Sequence, residues 1–314
     1  MSCPTLVSVI IPTWNRSSLL SRAVSSVLAQ TYKNIEIIVV DDCSNDNTSS
    51  ILASYGSSVR TVHTPSRCGP AAARNLGLST AQGDIIAFLD SDDWWHPQKL
   101  TKQVPLLVDS ETGVVYCDAI NVDPTDKAIS RQCSRYRGRI LDQMLVENVV
   151  CGSASAAIMR HSCIENSAPF RADIYREDWD LWLRLSFDYK FDYIPEPLVY
   201  ITVDSSSRHH TISPIAAGSS ITAIYQALLD NPRTADYVAT HKAQCGSTLH
   251  FYTGIILWQN GLVADARAEL WQSIRLDPTQ VRSYREYIKT FLGDSTLDRI
   301  KSLRMATDRL RGRI

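Results

Sequence analysis

The sequence predicts an α/β protein: a mainly parallel sheet covered by helices on both faces, followed by a region built of helices alone. Three observations carry this prediction. Short β-branched runs alternate with stretches of helical periodicity from Ser8 to Asp90, the mark of strands that pair in parallel through crossover helices. Three of the four runs in that stretch deliver polar residues at their carboxyl ends, the edge where such sheets bind ligands. From about Ile215 the strand signals cease.

Taken in order, Ser8 to Ile11 is apolar, β-branched and stopped by Pro12, which predicts a buried strand. Leu19, Leu20, Ala23, Val24, Val27 and Leu28 recur at helical spacing. Ile35 to Val40 is too short for a helix and ends in Asp41-Asp42 as a second strand. A helix near Thr48–Tyr55 precedes a third strand over Val59–His63. Another helix, Ala71–Thr80, is closed by Gly83 and leads into a strand from Ile85 to Leu89 that ends in Asp90. Gly113–Cys117 reads as a further strand, and the polar, charged segment Asp118–Arg139 as a loop or excursion. Ile140–Val150 has helical spacing, and Ser155–Met159 is short and apolar. Behind Arg176-Glu177-Asp178, the residues Trp179, Leu181, Trp182 and Leu185 form the core-facing side of a helix. Ile194–Val203 holds two prolines, which predicts an edge strand. Within Leu249–Pro278, Gly254, Gly261, Ala264 and Ala268 put small residues where two helices cross, as in a single tetratricopeptide-like hairpin. The expected domains are 1–215, sheet-based, and 216–314, helical.

Composition sets the outer limits. The 314 residues carry 32 Lys and Arg against 33 Asp and Glu, a formal charge of −1, with 44% hydrophobic and 21% charged residues. These ordinary globular values exclude a disordered, collagen-like or coiled-coil chain. The balance provides no global positive field to hold nucleic acid. Met1 to Pro12 lacks the basic start and long apolar run of a signal peptide, and no apolar run reaches membrane-spanning length. A cytoplasmic location is expected. Eight cysteines include no CxxC pair, which fits neither a zinc site nor a small disulfide scaffold. Reduced, mostly buried thiols are expected.

The fingerprints GxGxxG after the first strand, GxxxxGK[ST], HExxH and GxSxG are absent, which prunes dinucleotide enzymes, P-loop kinases, zinc proteases and serine hydrolases. Chemistry concentrates instead in Asp90-Ser91-Asp92-Asp93. Three carboxylates this close repel one another unless a cation or solvent relieves them. Oxygen-only ligands favour Mg²⁺ or Mn²⁺, shared with substrate phosphates. Asp93 alone also suits a turn capping the helix near Pro97; Asp90 and Asp92 together do not. Asp42 is placed to accept from a base N–H or a ribose hydroxyl, or to shape the turn in Asp-Cys-Ser-Asn-Asp. Arg74, at a helix start, is placed to reach a phosphate or to pair with a carboxylate. Glu177-Asp178 supplies either a general base or acidic complement to a helix N-terminus. Trp94 and Trp95 flank the acidic motif, so one is expected to face an acceptor and the other to be buried.

Five segments occur in a set order: Ser8-Val-Ile-Ile-Pro-Thr-Trp-Asn-Arg16, Val39-Val-Asp-Asp-Cys-Ser44, Gly69-Pro-Ala-Ala-Ala-Arg-Asn-Leu-Gly77, Leu89-Asp-Ser-Asp-Asp93 and Arg176-Glu-Asp-Trp-Asp180. Together they resemble the family 2 inverting glycosyltransferases with the GT-A fold, a Rossmann-like sheet sandwiched by helices, over roughly the first two-thirds of the chain. The resemblance implies metal-dependent, inverting transfer of a sugar from a nucleotide-diphospho sugar, UDP-sugar favoured, with Mn²⁺ or Mg²⁺ as cofactor. The implied acceptor is a hydroxyl of a glycan or lipid-linked acceptor, in surface polysaccharide or glycolipid assembly.

By the same resemblance, Pro12, Thr13 and Trp14, with Asn15, match the loop along the nucleoside, and Asp42 matches the carboxylate that reads the base. Asp90 and Asp92 match the DxD pair, with Asp92 as the direct metal contact, and Asp178 matches the catalytic base. Arg74 joins the nucleotide-binding set; Glu177, Trp94, Arg208 and His210 are candidate phosphate or acceptor contacts. Arg208, His209 and His210 also read as a surface loop. Cys43 departs from the pattern, standing where the family often has other residues. In Arg299–Ile314, Arg and Lys gather beside an apolar stripe of Ile300, Leu303, Leu310 and Ile314. That pattern suits either peripheral contact with the inner face of the cytoplasmic membrane or a plain packed terminal helix. Two rival readings stay open: a nucleotidyltransferase acting on a nucleoside triphosphate, and a non-catalytic sugar-binding module.

Overall fold

The computed structural model describes residues 5–165, 170–174, 176–203 and 214–292. Its first half follows a strict strand–helix alternation: β1 (Val7–Thr13), α1 (Ser17–Leu28), β2 (Ile35–Asp41), α2 (Thr48–Ser54), β3 (Arg60–His63), α3 (Gly69–Leu78) and β4 (Ile85–Phe88). These strands pair in parallel in the order β3-β2-β1-β4. All seven residues of β1 are buried, as a central parallel strand covered on both faces requires. On one face Val7, Val9 and Ile11 join Leu20, Ala23, Val24 and Val27 of α1 in a single core. Those four recur at i, i+3, i+4 and i+7, so burial selects one stripe of the helix. On the opposite side α3 comes so close that a Cβ on Gly77 would stand 2.4 Å from Ile10 Cγ2 and 3.1 Å from Val40 Cγ2.

The chain continues through β5 (Trp94–Trp95), α4 (Lys99–Gln103), β6 (Thr112–Val122), β7 (Ala128–Gln132), α5 (Leu141–Val146), β8 (Ile158–Arg160), α6 (His161–Glu165), α7 (Glu177–Asp188) and β9 (Lys190–Thr202). These strands extend the sheet as β4-β8-β6-β9-β5, with β7 on β6. Pairing is antiparallel except between β6 and β9, so the sheet is mixed beyond β4.

Two expectations are sharpened or corrected here. The polar segment 118–139 is an excursion rather than a plain loop: β6 runs on to Val122 and turns back as β7, and the residues after Gln132 are irregular. Its polar side chains satisfy one another across the hairpin. Arg131 pairs with Asp118 at 2.6 Å, Asn121 donates to Ser130 at 2.9 Å, and Gln132 donates to Asn121 at 2.7 Å. β9 is not an edge strand either, since it lies between β6 and β5. Its prolines are tolerated because the register jumps there, from Cys117 opposite Ile194 to Asp118 opposite Pro197, leaving Pro195 in a bulge that needs no ladder donor. Smaller shifts accompany these. A single 3₁₀ turn over Ala154–Ala156 delays β8 to Ile158, and α5 ends at Val146. Among the described cysteines Cys117, Cys163 and Cys245 are buried, but Cys43, Cys68 and Cys133 are exposed.

Two compact units result. The first comprises 1–144, 148–172 and 177–203; the second comprises 145–147, 173–176 and 204–314. In the second, the described helices are α8 (Pro214–Asp230), α9 (Ala235–Thr240), α10 (Lys242–Gln259), α11 (Val263–Leu276) and α12 (Val281–Lys289). Gly254 lets α10 meet α11, where a Cβ would approach Leu270 Cγ to 2.7 Å. Ser247, Ser273 and Ser283 tie α10, α11 and α12 through hydroxyl contacts of 2.8 Å. Among the described residues no helix is long and apolar enough to cross a membrane. The basic segment Arg299–Ile314 lies outside the described residues.

The approach of α3 to β1 generates a test. Gly77→Ala should lower the unfolding free energy by about 1–3 kcal/mol through overpacking against Ile10, measured by urea denaturation; an unchanged midpoint would contradict the contact.

Candidate active site

β1 is hydrogen-bonded to β2 on one side and β4 on the other, so the strand order reverses at its carboxyl end, where open α/β sheets take ligands. The loops leaving β1 and β2 are laced together. Asp42 N donates to Thr13 O at 2.9 Å, Asn15 N to Ser44 Oγ at 2.9 Å, and Asn45 N to Asn15 Oδ1 at 2.8 Å. Asn15 and Cys43 hold these loops with positive φ, +50° and +60°, conformations that persist only where neighbours enforce them. Asn15 thus serves the loop framework through its amide. Pro12 is buried within β1, whereas Thr13 Oγ1 is buried with no hydrogen-bond partner among the described residues. Trp14 is 38% exposed, and the Arg67 guanidinium lies 3.4 Å from its ring centroid, a cation–π contact.

Asp42 is buried and receives several donors. Its Oδ1 accepts from Thr64 Oγ1 at 2.8 Å, Cys68 N at 2.9 Å and Cys68 Sγ at 3.2 Å; Oδ2 accepts from Gly69 N at 2.8 Å. Burial opposes the charge, but these donors outweigh it and hold the carboxyl below the usual range.

The acidic motif follows β4. Arg74, buried at the first turns of α3, donates from Nη2 to Asp90 at 2.6 Å and from Nη1 to Glu177 at 2.7 Å. Burial works against its charge, and Asp90 with Glu177 more than offsets that, raising its pKa. Asp92 pairs with Arg16, and its backbone carbonyl accepts from Arg22 at 2.8 Å and from Thr202 Oγ1. Asp93 points inward, accepting from Ser155 Oγ at 2.7 Å and Thr202 N at 3.2 Å. Burial, then the Asp92 and Asp90 charges, push the Asp93 carboxyl well above the usual range. Asp92 is raised by burial and by Asp90, with Arg16 opposing. Ser155 Oγ also receives Asp90 N at 3.0 Å, so one hydroxyl braces both ends of the motif.

Asp178 lies in the first turn of α7. Its Oδ1 accepts from Trp179 N at 2.8 Å, and its Oδ2 from Asn148 Nδ2 at 3.3 Å. Asp180 of the same segment is buried against Arg171 and Arg184. Trp95 is buried with Nε1 on Ser155 O at 2.9 Å. Trp94 is half-buried between Tyr200, stacked at 5.0 Å, and the Arg22 guanidinium at 3.8 Å. Trp179 and Trp182 are fully buried. Arg208, His209 and His210 lie outside the described residues.

The fold therefore places Thr13, Trp14, Asp42, Asp90 and Asp92 at strand ends, Arg74 within α3, and Glu177 and Asp178 at the start of α7, all in the first unit. Arg16, Arg22, Asn148, Ser155 and Thr202 join them although sequence reasoning assigned them no role. Arg16 at least stood inside a quoted segment. The others lack any periodic or motif signal.

Asp93 couples folding to pH. Its unfolded carboxyl titrates at about 3.9 and the folded one higher, so the native state binds the extra proton and stability is lost as pH rises through that interval. In metal-free buffer, Asp93→Asn should remove this slope. Its unfolding free energy should gain on wild type by up to about 1.4 kcal/mol per pH unit in urea titrations above about pH 5. Parallel pH profiles would refute the assignment.

Residues 8–167 match the model of the family described as Glycosyl transferase family 2. The chain is 34% identical over 187 residues to UDP-Glc:alpha-D-GlcNAc-diphosphoundecaprenol beta-1,3-glucosyltransferase WfgD of Escherichia coli, covering 58% of this chain and 70% of that one. It is 41% identical over 121 residues to an uncharacterized glycosyltransferase of Haemophilus influenzae, covering 36% of this chain and 48% of that protein. Among solved structures, S. aureus TarS 1–349 in complex with UDP-GlcNAc superposes with a TM-score of 0.65 at 18% identity, over 91% of this chain and 89% of that one. Mannosyltransferase PcManGT from Pyrobaculum calidifontis, in complex with GDP-Man and Mn2+, gives 0.61 at 17% identity, over 98% and 88%. Those two structures establish the likeness of fold. With the family model spanning half of the chain and the curated relative most of its own length, the chain belongs to the family 2 glycosyltransferases and has their GT-A fold.

Proposed function

We propose that the protein transfers a sugar from a UDP-sugar to a hydroxyl of a glycan or lipid-linked acceptor, with inversion at the anomeric carbon. The observation that carries this reading is Arg74. Its two nitrogens bind Asp90 and Glu177 separately, which ties the acidic motif after β4 to the turn that presents Asp178. A diphosphate side and a base side are thereby held at fixed spacing, the arrangement a single in-line displacement needs.

Asp178 accepts the proton of the acceptor hydroxyl as that oxygen bonds to the anomeric carbon. The bond from the anomeric carbon to the donor diphosphate breaks, and its electron pair leaves with the nucleotide. One displacement inverts the centre, so no covalent nucleophile is required. Asn148 orients the Asp178 carboxylate through Oδ2. Trp14 and Thr13 line the nucleoside, and Asp42 reads the base.

The donor set suits a divalent ion. Asp92 and Asp90 offer oxygen only and their repulsion raises Asp92, so a cation there relieves like charge; Arg16 and Arg74, which pair with them in this structure, would have to share or release them. Among the described residues no three metal-ligating side chains converge, so Mn²⁺ or Mg²⁺ at Asp92 and Asp90 would need diphosphate oxygens to complete its shell. Asp92 and Asp90 would hold that ion, which supplies charge neutralisation for the departing nucleoside diphosphate.

The E. coli relative is named for transfer from UDP-Glc to a diphosphoundecaprenol-linked acceptor, and TarS is solved with UDP-GlcNAc; both support a UDP-sugar, and the former a lipid-linked acceptor. Peripheral contact of a cytoplasmic protein with the membrane, through Arg299–Ile314, belongs to the same proposal.

Asp178→Asn should keep binding UDP with Mn²⁺ in calorimetry while transfer falls by about 10²–10⁴-fold; substantial residual transfer would remove Asp178 as the base. Asp92→Ala should abolish the Mn²⁺-dependent part of UDP binding, and a variant that binds UDP with Mn²⁺ as tightly as wild type would contradict the ion site.

A further inference from the structure

We propose that Cys43 and Cys68 form an oxidisable thiol pair at the nucleotide pocket, and that joining them as a disulfide prevents nucleotide binding. The blocking step rests on the reading of Asp42 as the base-facing carboxylate. Both thiols are exposed, one in the loop after β2 and the other just before α3. They border the same pair of polar groups. Cys43 Sγ lies 3.4 Å from Thr64 O and 3.6 Å from Thr64 Oγ1. Cys68 Sγ donates at 3.2 Å to Asp42 Oδ1, the oxygen that also accepts from Thr64 Oγ1 at 2.8 Å. The two sulfurs therefore flank a single hydroxyl–carboxylate contact.

Each thiol sits at a tight turn: Cys43 has φ at +60° and Gly69, directly after Cys68, at +85°. Joining the sulfurs therefore requires these exposed loops to close over the Thr64–Asp42 contact between them. The other described thiols differ in setting: Cys117, Cys163 and Cys245 are buried, and Cys151 contacts Cys117 O on β6.

With a peroxide as oxidant, the chemistry closes. The Cys43 sulfur attacks a peroxide oxygen, the O–O bond breaks, and Cys43 becomes a sulfenic acid as the first water departs. Cys68 then attacks that sulfur, the S–O bond breaks, and the second water leaves with the remaining proton. Two thiols lose two electrons and two protons, and the peroxide is reduced to two waters. Burial and the Asp42 carboxylate raise the Cys68 thiol, which makes it the slower of the two toward peroxide and leaves the first attack to Cys43; Cys68 then attacks as its thiolate. The new bond, about 2.05 Å long, withdraws the Cys68 donor from Asp42 and draws the 64–69 loop onto the loop after β2. Such a bond in a reducing compartment is transient and reports oxidation.

The test uses the full chain. Reduced protein is treated with hydrogen peroxide, alkylated and digested without reductant. A Cys43–Cys68 linked peptide is expected, together with at least about a tenfold loss of UDP affinity in calorimetry with Mn²⁺, both reversed by dithiothreitol. UDP with Mn²⁺ added first should slow formation of the linked peptide. Cys43→Ser should keep its affinity through the same treatment. Absence of the linked peptide overturns the pair, and so does an equal loss of affinity in Cys43→Ser. A linked peptide with unchanged affinity overturns the blocking step. If the fully reduced protein binds no nucleotide, the base-facing reading of Asp42 falls and takes the blocking step with it, while the linked peptide still reports on the pair.

Discussion

Arg74 is the interaction on which the site depends. Its guanidinium is buried between Asp90 and Glu177, carboxylates that otherwise belong to a strand end and to a helix start far apart in sequence. Only a planar fork can serve both at once, which is why lysine is no substitute at such a position. Buried ion pairs of this kind add little to net stability, yet removal of one member leaves an uncompensated charge and is strongly destabilising. Their contribution is geometric. Neighbouring contacts make the geometry rigid: Asn75 exchanges hydrogen bonds of 2.7 and 2.8 Å with the Phe170 backbone. Phe170 meets Phe88 of β4 edge-on at 5.0 Å, so α3, β4 and the approach to α7 are locked around the arginine.

The acidic motif illustrates a second constraint. Three carboxylates in four residues raise one another's proton affinity in a setting short of water. The fold distributes them rather than separating them. Asp90 goes to Arg74, Asp92 to Arg16, and Asp93 inward to Ser155 and Thr202. Arg22 supports the backbone beneath by donating to Asp92 O while stacking on Trp94. Positive φ occurs at Asn15 after β1, at Cys43 after β2 and at Ser153 before the 3₁₀ turn that supports the motif. Strain of that sort survives where surrounding contacts over-determine it, and here those contacts are the ones that define the pocket.

Much of the architecture was legible in the chain. The apolar runs at β1, β2 and β4, the helical stripes of α1 and α7, and the acidic residues at strand ends all follow from spacing, because burial on one face imposes a period on the sequence. The hairpin of β6 and β7 was not legible. Its polar residues are satisfied by partners nine or more positions away, so no local apolar period marks it. The interior position of β9 was hidden for a related reason: prolines speak against a central strand, and only the register jump opposite Cys117 and Asp118 removes the need for their missing donor.

By itself the sequence determined the alternation of strands and helices, the placement of Asp42, Asp90 and Asp92 at carboxyl ends, and Asp178 at a helix start, since each depends on residue type and spacing along one segment. Tertiary structure alone decided that Arg74 spans Asp90 and Glu177, that Arg16 meets Asp92, that Ser155 braces the acidic motif, and that Cys43 and Cys68 lie either side of the Thr64–Asp42 hydrogen bond. These are contacts between residues up to about a hundred positions apart. Nothing in local periodicity encodes which arginine meets which carboxylate; the sheet order does, by setting strand ends side by side.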